Sequence, residues 1–218
     1  SDVYKRQFYT TCSFPCLCGV IIVGMILDLP VLEGRMIRLE PLRLDHAAGL
    51  WHVATPEVFQ YANIRPQDQT LAAYESYVQR RLVYADWHTY TMVLQHDDQP
   101  VGLSAYLDIR TAHRGLEIGG TWIAKPFQGT RVNPEAKYLM LQHAFETLGM
   151  LRVQLKCDAR NQQSQRALAK LGAVREGVLR KHVILPDGYV RDTVMFSITD
   201  DEWPQVRAKL EERLGYAA

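Results

Sequence analysis

The sequence lacks an excess of charge of either sign. Its 218 residues contain 25 Lys and Arg against 24 Asp and Glu. Setting aside residues 1–24, which hold Asp2, Lys5 and Arg6, leaves 23 basic and 23 acidic residues. Proteins that bind nucleic acids usually carry a broad basic surface. A nucleic-acid partner is therefore not expected.

Cysteine is also scarce outside the first 24 residues. Three of the four cysteines, Cys12, Cys16 and Cys18, lie in that segment, and only Cys157 follows it. One cysteine cannot form an internal disulfide or a Cys-rich zinc site. The seven histidines are scattered, and none forms a helical i, i+4 pair with a carboxylate companion. No metal is expected, and a reducing cytoplasm is the default location.

A membrane-spanning run is absent as well, because the apolar part of residues 1–24 is too short to cross a bilayer. No membrane partner is expected. The segment opens with residues that resemble a translated sequencing adapter, so residues 1–24 are interpreted as non-native or upstream sequence, with Met25 as the preferred native start. A secretory or lipoprotein leader stays open, because a basic pair precedes the apolar run and Cys18 precedes Gly19.

Residues 25–218 have the length of a single domain with a sizeable core. Hydrophobic periodicity and end signals predict alternating strands and helices in this part of the chain. The predicted strands are Met36–Pro41, Thr89–Gln95, Val101–Ile109, Leu116–Ala124, Arg152–Asp158, Val174–Leu185 and Tyr189–Ile198. The predicted helices are Asp45–Ala54, Thr70–Ala85, Asn133–Gly149, Asn161–Leu171 and one that follows a capping box at Thr199–Glu202.

The middle of the chain predicts a crossover, because a strand, a helix and a strand follow one another from Leu116 to Asp158. Such a unit places its two strands parallel in one sheet. The later strands read as a hairpin around Pro186–Gly188. We therefore expect an α+β fold, with a single mixed, mostly antiparallel sheet flanked by helices.

The loop between the Leu116–Ala124 strand and the next helix is a candidate anion site. Asn133 is predicted as the N-cap and Pro134 as the first helical residue. The first turn of a helix has unpaired N–H groups and a partial positive charge. An anion such as phosphate is stabilised there, so function is expected around Gln128 to Glu135.

Three groups of residues, in this order, give the chain its resemblance to a known family. They are Glu117–Gly119 with Trp122–Gly129, then Asn161 and Ser164 with Leu171–Ala173 and Glu176–Gly177, and finally Asp187–Gly188 with Arg191–Asp192. With this pattern, the domain at residues 25–218 resembles, from about Met36 to Leu214, the GNAT superfamily of acyl-CoA-dependent N-acyltransferases. Within it the domain is most similar to the ribosomal-protein-alanine acetyltransferase (RimJ/RimL-like) group. The resemblance implies the GNAT fold over the whole domain.

The resemblance also implies an acetyl-CoA site. It places coenzyme A contacts at Ile123, Gln128, Gly129, Thr130, Arg131, Val132, Asn133 and Asn161. The family pattern has Gly at the position of Arg131 and Gly or Ala at that of Asn133. Arginine cannot supply the conformational freedom of glycine, but it can offer a guanidinium to a phosphate. The loop therefore either binds coenzyme A with fewer amides or has become a plain helix start.

Two residues are implied for proton transfer in acyl transfer to an amine. Glu117 matches the position of a water-linked general base, and the alternative is a structural ion pair. Ser164 matches a serine near the sulfur in relatives and is the candidate acid for the thiolate. The alternative is that Asn161 caps the helix and Ser164 is an ordinary first-turn residue.

The remaining candidates concern the acceptor. Arg191 and Asp192 either line the acceptor groove or form a cross-strand ion pair. Cys157 is interpreted as a buried apolar residue rather than an acyl-carrying nucleophile. The expected function is direct, metal-free acetyl transfer from acetyl-CoA to a primary amine, on a protein N-terminus or a small molecule. A succinyl or other short acyl donor, a homodimer, and a catalytically silent acyl-CoA-binding module stay open.

Overall fold

The computed structural model describes residues 29–216, so the predicted upstream segment, residues 1–24, and the proposed start at Met25 lie outside the described residues. Within residues 29–216, helices cover both faces of one eight-stranded sheet, which confirms the predicted α+β fold. The strands are β1 (Leu32–Glu33), β2 (Ile37–Pro41), β3 (His88–Leu94), β4 (Pro100–Arg110), β5 (Gly115–Ile123), β6 (Arg152–Asp158), β7 (Val174–Ile184) and β8 (Val190–Thr199). The α-helices are α1 (His46–Val53), α2 (Leu71–Val83), α3 (Val132–Gln142), α4 (Gln162–Leu171) and α5 (Trp203–Leu214).

The sheet has the order β1-β2-β3-β4-β5-β6-β8-β7. All neighbouring strands are antiparallel except β5 and β6, which α3 connects and which run parallel. This confirms the crossover that the spacing predicts. The carboxyl ends of β5 and β6 therefore lie at the same edge of the sheet, where α3 and α4 begin.

Two apolar cores form because the sheet is covered on both faces. One core packs α3 and α5 against residues such as Ile118 of β5, and the other packs α1 and α2 against Leu103 and Trp122. The central strand β4 is buried continuously from Val101 to Leu107, as expected for a strand enclosed on both faces. None of the helices in this described part is long and apolar enough to cross a bilayer.

Two predicted helix caps are wrong. Helix α3 begins at Val132, so Asn133 lies inside its first turn instead of capping it. Thr130 Oγ1 accepts a hydrogen bond from Val132 N at 3.3 Å, and this side-chain turn starts the helix before Asn133. At α1, Asp45 precedes the helix, but its carboxylate accepts from Arg43 Nε at 3.1 Å and makes no cap bond.

The other predicted ends are closer to the structure. Thr70 caps α2 by accepting from Ala73 N at 3.3 Å. The predicted capping box is half formed, because Glu202 Oε2 accepts from Thr199 N at 2.9 Å and α5 starts only after Glu202. The long predicted helix up to Gly149 is α-helical only to Gln142 and continues as a π-helical turn, His143–Thr147.

Candidate acyl-CoA and amine site

A gap between β5 and β6 is the central feature of the candidate site. The two strands pair only from Gly115 to Glu117 on β5 and from Arg152 to Gln154 on β6. Beyond that point, residues 118–123 of β5 pair only with β4, and residues 155–158 of β6 pair only with β8. Among residues 29–216, two facing strand edges are therefore left without a partner strand. An extended molecule with amide groups could hydrogen-bond to such edges.

The start of α3 borders the open end of this gap and offers free amides. The backbone N–H groups of Gly129, Thr130 and Arg131 donate to no acceptor within residues 29–216. Gly129 has a φ of +77°, and a side chain there would meet no atom within 4 Å. The predicted anion site is thus a group of unpaired donors at a helix N-terminus, with open space beside it.

The side chains of this loop are arranged differently from the prediction for phosphate binding. Arg131 Nη1 lies 3.4 Å from the carbonyl oxygen of Leu214, at the C-terminal end of α5, where the helix dipole attracts a cation. Gln128 donates to the carbonyl of Ile123 at 3.0 Å. The Asn133 amide oxygen is buried and has no partner among the described residues. Backbone amides, rather than the Arg131 side chain, are the donors that this loop leaves free within residues 29–216.

The start of α4 lies on the other side of the gap. Asn161 Oδ1 accepts from Ser164 N at 2.9 Å, so Asn161 caps α4, as one of the two predicted alternatives requires. Gln163 Nε2 lies 3.4 Å from Gln128 Oε1, which brings the starts of α3 and α4 together across the mouth of the gap. The Ser164 hydroxyl lies near the Cys157 thiol and lowers its pKa, but burial has the larger effect. Burial raises the pKa of Cys157, so this thiol is a poor nucleophile at neutral pH.

Glu117 lies where the gap begins. Its side chain is 1% exposed, and its Oε2 accepts from Lys156 Nζ at 2.8 Å and from Gln154 Nε2 at 3.2 Å. The predicted ion pair is therefore present. It does not exclude the predicted base, because a carboxylate at the edge of the gap can still accept a proton through water.

A bulge in β5 separates Glu117 from the anion site. The register between β4 and β5 shifts between Leu103 and Ala105, so β5 carries one extra residue near Gly120. Gly120 has a φ of +57°, and an added Cβ would lie 2.7 Å from Arg81 Nη2 and from Trp87. Only glycine suits this position.

Buried cations hold this bulge from both faces of the sheet. From α2, Arg81 Nη2 donates to the Gly120 carbonyl at 3.0 Å. From α3, Lys137 Nζ donates to Thr121 Oγ1 at 2.8 Å and to Ser104 Oγ at 3.1 Å. Neither cation has a carboxylate within 4 Å in the described part of the chain, and burial lowers the pKa of Lys137 to about 7. The bulge is thus bonded to a basic side chain on each face of the sheet, and Lys137 is protonated in about half of the molecules at pH 7.

A second polar group lies on the β6 and β8 side of the gap. Arg191 Nε donates to Thr193 Oγ1 at 3.0 Å, and Arg191 Nη1 donates to Asn63 Oδ1 at 3.1 Å. Its charge acts on both Cys157 and Glu117. The alternative of a cross-strand ion pair is wrong, because neither Arg191 nor Asp192 forms an ion pair within residues 29–216. Asp192 Oδ1 instead accepts from the backbone N–H of Lys181 on β7 at 2.7 Å.

Asp158, the carboxylate that lies near Arg191, is already paired with another cation. Asp158 accepts two hydrogen bonds from the Arg160 guanidinium, at 3.0 and 2.7 Å, and Arg160 lies 3.4 Å from the centroid of the Tyr189 ring. No group of three or more His, Cys, Asp and Glu side chains that could hold a metal ion occurs in residues 29–216.

The structure brings together most residues that the sequence pattern selects. Glu117, Cys157 and Arg191 interact electrostatically, and Ser164 joins them through Cys157. Sequence reasoning missed Arg81 and Lys137. Their only signal is a charged residue on a helix face that otherwise reads as core, and helical periodicity alone does not separate this from a solvated position.

Comparison with known proteins places these features in context. The sequence profile described as "Acetyltransferase (GNAT) domain" matches residues 36–174. YdaF of Bacillus subtilis (strain 168), provisionally named a ribosomal N-acetyltransferase, is 29% identical over 123 residues, 56% of this chain and 66% of that protein. YjcK of the same strain, provisionally named an N-acetyltransferase, is 29% identical over 182 residues, 79% of this chain and 99% of that protein. A crystal structure from T. thermophilus, provisionally named an acetyltransferase, superposes with a TM-score of 0.82 at 42% identity, covering 87% of this chain and 100% of that one.

Proposed function

The chain belongs to the GNAT acetyltransferase family, and we propose that this N-acetyltransferase transfers an acetyl group from acetyl-CoA directly to a primary amine. The observation that carries this proposal is the gap between β5 and β6, which ends at the free amides of Gly129, Thr130 and Arg131. The acceptor is a protein N-terminus or a small-molecule amine. The ribosomal assignment of YdaF favours the former.

The residues at the gap fit coenzyme A. The diphosphate would accept hydrogen bonds from the three free amides at the start of α3. The pantetheine arm, which contains two amides, would lie along the unpaired edges of β5 and β6. The Asn161 side chain uses its Oδ1 as the α4 cap, which leaves its Nδ2 donor for the arm. Gln128 and Gln163 would separate to admit it.

Proton transfer would involve Glu117 and Ser164, which lie on the two sides of the place where the thioester would sit, here called the acyl position. Glu117 would take a proton from the incoming ammonium through water, with Lys156 and Gln154 holding the carboxylate in place. Ser164 would donate a hydrogen bond or proton to the departing sulfur. The carbonyl oxygen of the thioester gains negative charge as nitrogen attacks, and Arg81 and Lys137 make the adjoining bulge electropositive without moving during the reaction.

Thiol release from acetyl-CoA, measured with a panel of amines, tests the proposal. We expect release that depends on the amine, with one acetylated amine formed per thiol. Glu117→Gln should lower kcat/KM by roughly 10²- to 10⁴-fold, the usual range for a general base. The matched control is Glu212→Gln, because Glu212 is exposed. Binding of acetyl-CoA without thiol release from any amine would instead favour the silent binding module.

A further inference from the structure

Arg191 is a buried cation whose hydrogen bonds are incomplete. Its side chain belongs to a residue that is 6% exposed, and no carboxylate lies within 4 Å of it in residues 29–216. Two of its nitrogens bond to Thr193 and Asn63, and the third, Nη2, is buried without a partner in the described part of the chain. Arginine does not lose its proton at physiological pH, so this charge is present in the fold.

The surrounding charges do not balance. Three cations, Arg191, Arg160 and Lys156, lie near two carboxylates, Asp158 and Glu117. Each carboxylate is already bonded to one of the other two cations, at 2.7 Å for Arg160 and 2.8 Å for Lys156. His182 hydrogen-bonds to the same Thr193 hydroxyl as Arg191 and contributes no negative charge. Within residues 29–216, Arg191 therefore feels the charge of Asp158 and Glu117 but has no carboxylate in direct contact.

A buried, unpaired guanidinium is unfavourable unless something else supplies the anion. The missing partner must fit a planar fork of N–H donors, and a carboxylate does so with two parallel hydrogen bonds. Asn63, the side chain that covers Nη1, is exposed on the loop before α2, so it can leave without disturbing either core. Arg191 is held in place meanwhile by Thr193.

The position of Arg191 relates this anion to the reaction. Thr193, which holds Arg191, pairs with Asp158 at the carboxyl end of the β6 segment that borders the gap, and the next pair along is Cys157 with Val194. Arg191 is therefore held beside the β6 edge of the gap, and its charge acts on the Cys157 thiol and on Glu117. We propose that Arg191 binds a carboxylate carried by one of the two substrates, beside the bond that is formed. This inference rests on the proposed acyl transfer. Two sources share the chemistry: a carboxylate on the amine acceptor, and the terminal carboxylate of a dicarboxylic acyl chain such as succinyl.

Matched substrates distinguish these sources. In the first arm, acetyl-CoA is offered with short ω-amino acids and with their carboxamides. In the second, succinyl-CoA and acetyl-CoA are compared on one uncharged amine. In one of the two arms the wild type should prefer the carboxylate by roughly 10- to 100-fold in kcat/KM, the range for a hydrogen bond to a charged group. Arg191→Met should reduce that ratio to about one. Arg175→Met, at an exposed arginine, should leave it unchanged.

Two more variants keep the test valid if Arg191→Met folds poorly. Arg191→Lys retains the charge but loses the fork, so the preference should fall and not vanish. Asn63→Asp places a carboxylate on Arg191 from within the chain, so it should lower the preference while the fold stays intact. Equal use of carboxylates and amides by the wild type in both arms would overturn the proposal.

A binding measurement separates this inference from the proposed function. Thermal shift with sodium succinate and with succinamide requires no turnover. We expect succinate to stabilise the wild type more than succinamide does, and Arg191→Met to lose that difference. If succinate binding depends on Arg191 but no amine causes thiol release from acetyl-CoA, the proposed enzymatic function is contradicted and the carboxylate site is retained. The same succinate shift in wild type and Arg191→Met would reject the site even in an active enzyme.

Discussion

Replacing Lys137 by methionine should stabilise the fold while impairing the reaction. Within the described residues, Lys137 is buried with only the Ser104 and Thr121 hydroxyls as partners, and burial lowers its pKa from 10.5 to about 7. Those two hydroxyls also lie 2.8 Å from each other, so they remain paired when the amine is removed. Methionine has a similar length and no charge to bury.

The pKa of Lys137 gives the sign and size of the effect. Between pH 7 and 10.5 the unfolded chain binds the Lys137 proton and the folded chain has lost it, so stability rises with pH in this window. Each pH unit contributes at most about 1.36 kcal/mol. The destabilisation due to Lys137 is therefore about 4 kcal/mol at pH 7 and about 2 kcal/mol at pH 9.

Urea unfolding of wild type and Lys137→Met, followed from about pH 6 to about pH 9, measures this difference. Lys137→Met should be the more stable protein at pH 7, and its advantage should shrink by about 2 kcal/mol by pH 9. Lys209→Met, at an exposed lysine, should follow the wild-type pH dependence. A constant difference, or a less stable Lys137→Met at pH 7, would refute an uncompensated charge at this position. Lys137→Met should also transfer acetyl more slowly, because it loses the hydrogen bonds that Lys137 donates to Thr121 and Ser104 beside the bulge.

Three further changes test the arrangement around the site. Gly120→Ala should destabilise the fold by about 2 kcal/mol and slow acetyl transfer, because its φ of +57° and the approach of Arg81 exclude a side chain. Thermal unfolding measures this loss against the control Gly177→Ala, where an added Cβ meets nothing within 4 Å. Equal losses of stability in the two variants would contradict the prediction. Glu135→Gln should destabilise the fold by about 3 kcal/mol in the same assay. The buried carboxylate accepts from the backbone amides of Arg35, Met36 and Ile37, whereas a carboxamide has only one acceptor oxygen. An unchanged unfolding temperature would show that these hydrogen bonds are dispensable. Partial burial raises the pKa of Glu40, but hydrogen bonds from Arg43 and Arg38 outweigh it and lower the pKa to about 2, so stability should fall as the pH drops from 4.5 towards 2, and Glu40→Gln should lose this dependence in acid unfolding.

The sequence predicts most of the fold because burial and periodicity agree along it. The strand Arg152–Asp158 has the predicted bounds, and its neighbours differ by a residue or two. The helix starts are less predictable, since several hydroxyls and amides can cap the same turn. At α3 the Thr130 hydroxyl captures Val132 N before Asn133 can act as the cap.

The candidate site is only partly readable from the sequence, for a different reason. Glu117, Asn161 and Ser164 stand in recognisable motifs, and the structure brings them to one gap. Lys137 and Arg81 are charged residues on helix faces that otherwise read as core, and helical periodicity does not tell whether such a charge is buried. The packing of both helices over one bulge buries them. The free Nη2 of Arg191 depends on Asp158 being bonded to Arg160 two residues away, which is a matter of side-chain geometry.

A crystal structure of the protein with coenzyme A tests the central claim most directly. We expect the pantetheine arm between residues 118–123 of β5 and residues 155–158 of β6, with the diphosphate on the amides of Gly129, Thr130 and Arg131. The Gln128–Gln163 contact should then be open. Coenzyme A bound elsewhere, with β5 and β6 unchanged and the three amides facing solvent, would contradict the claim.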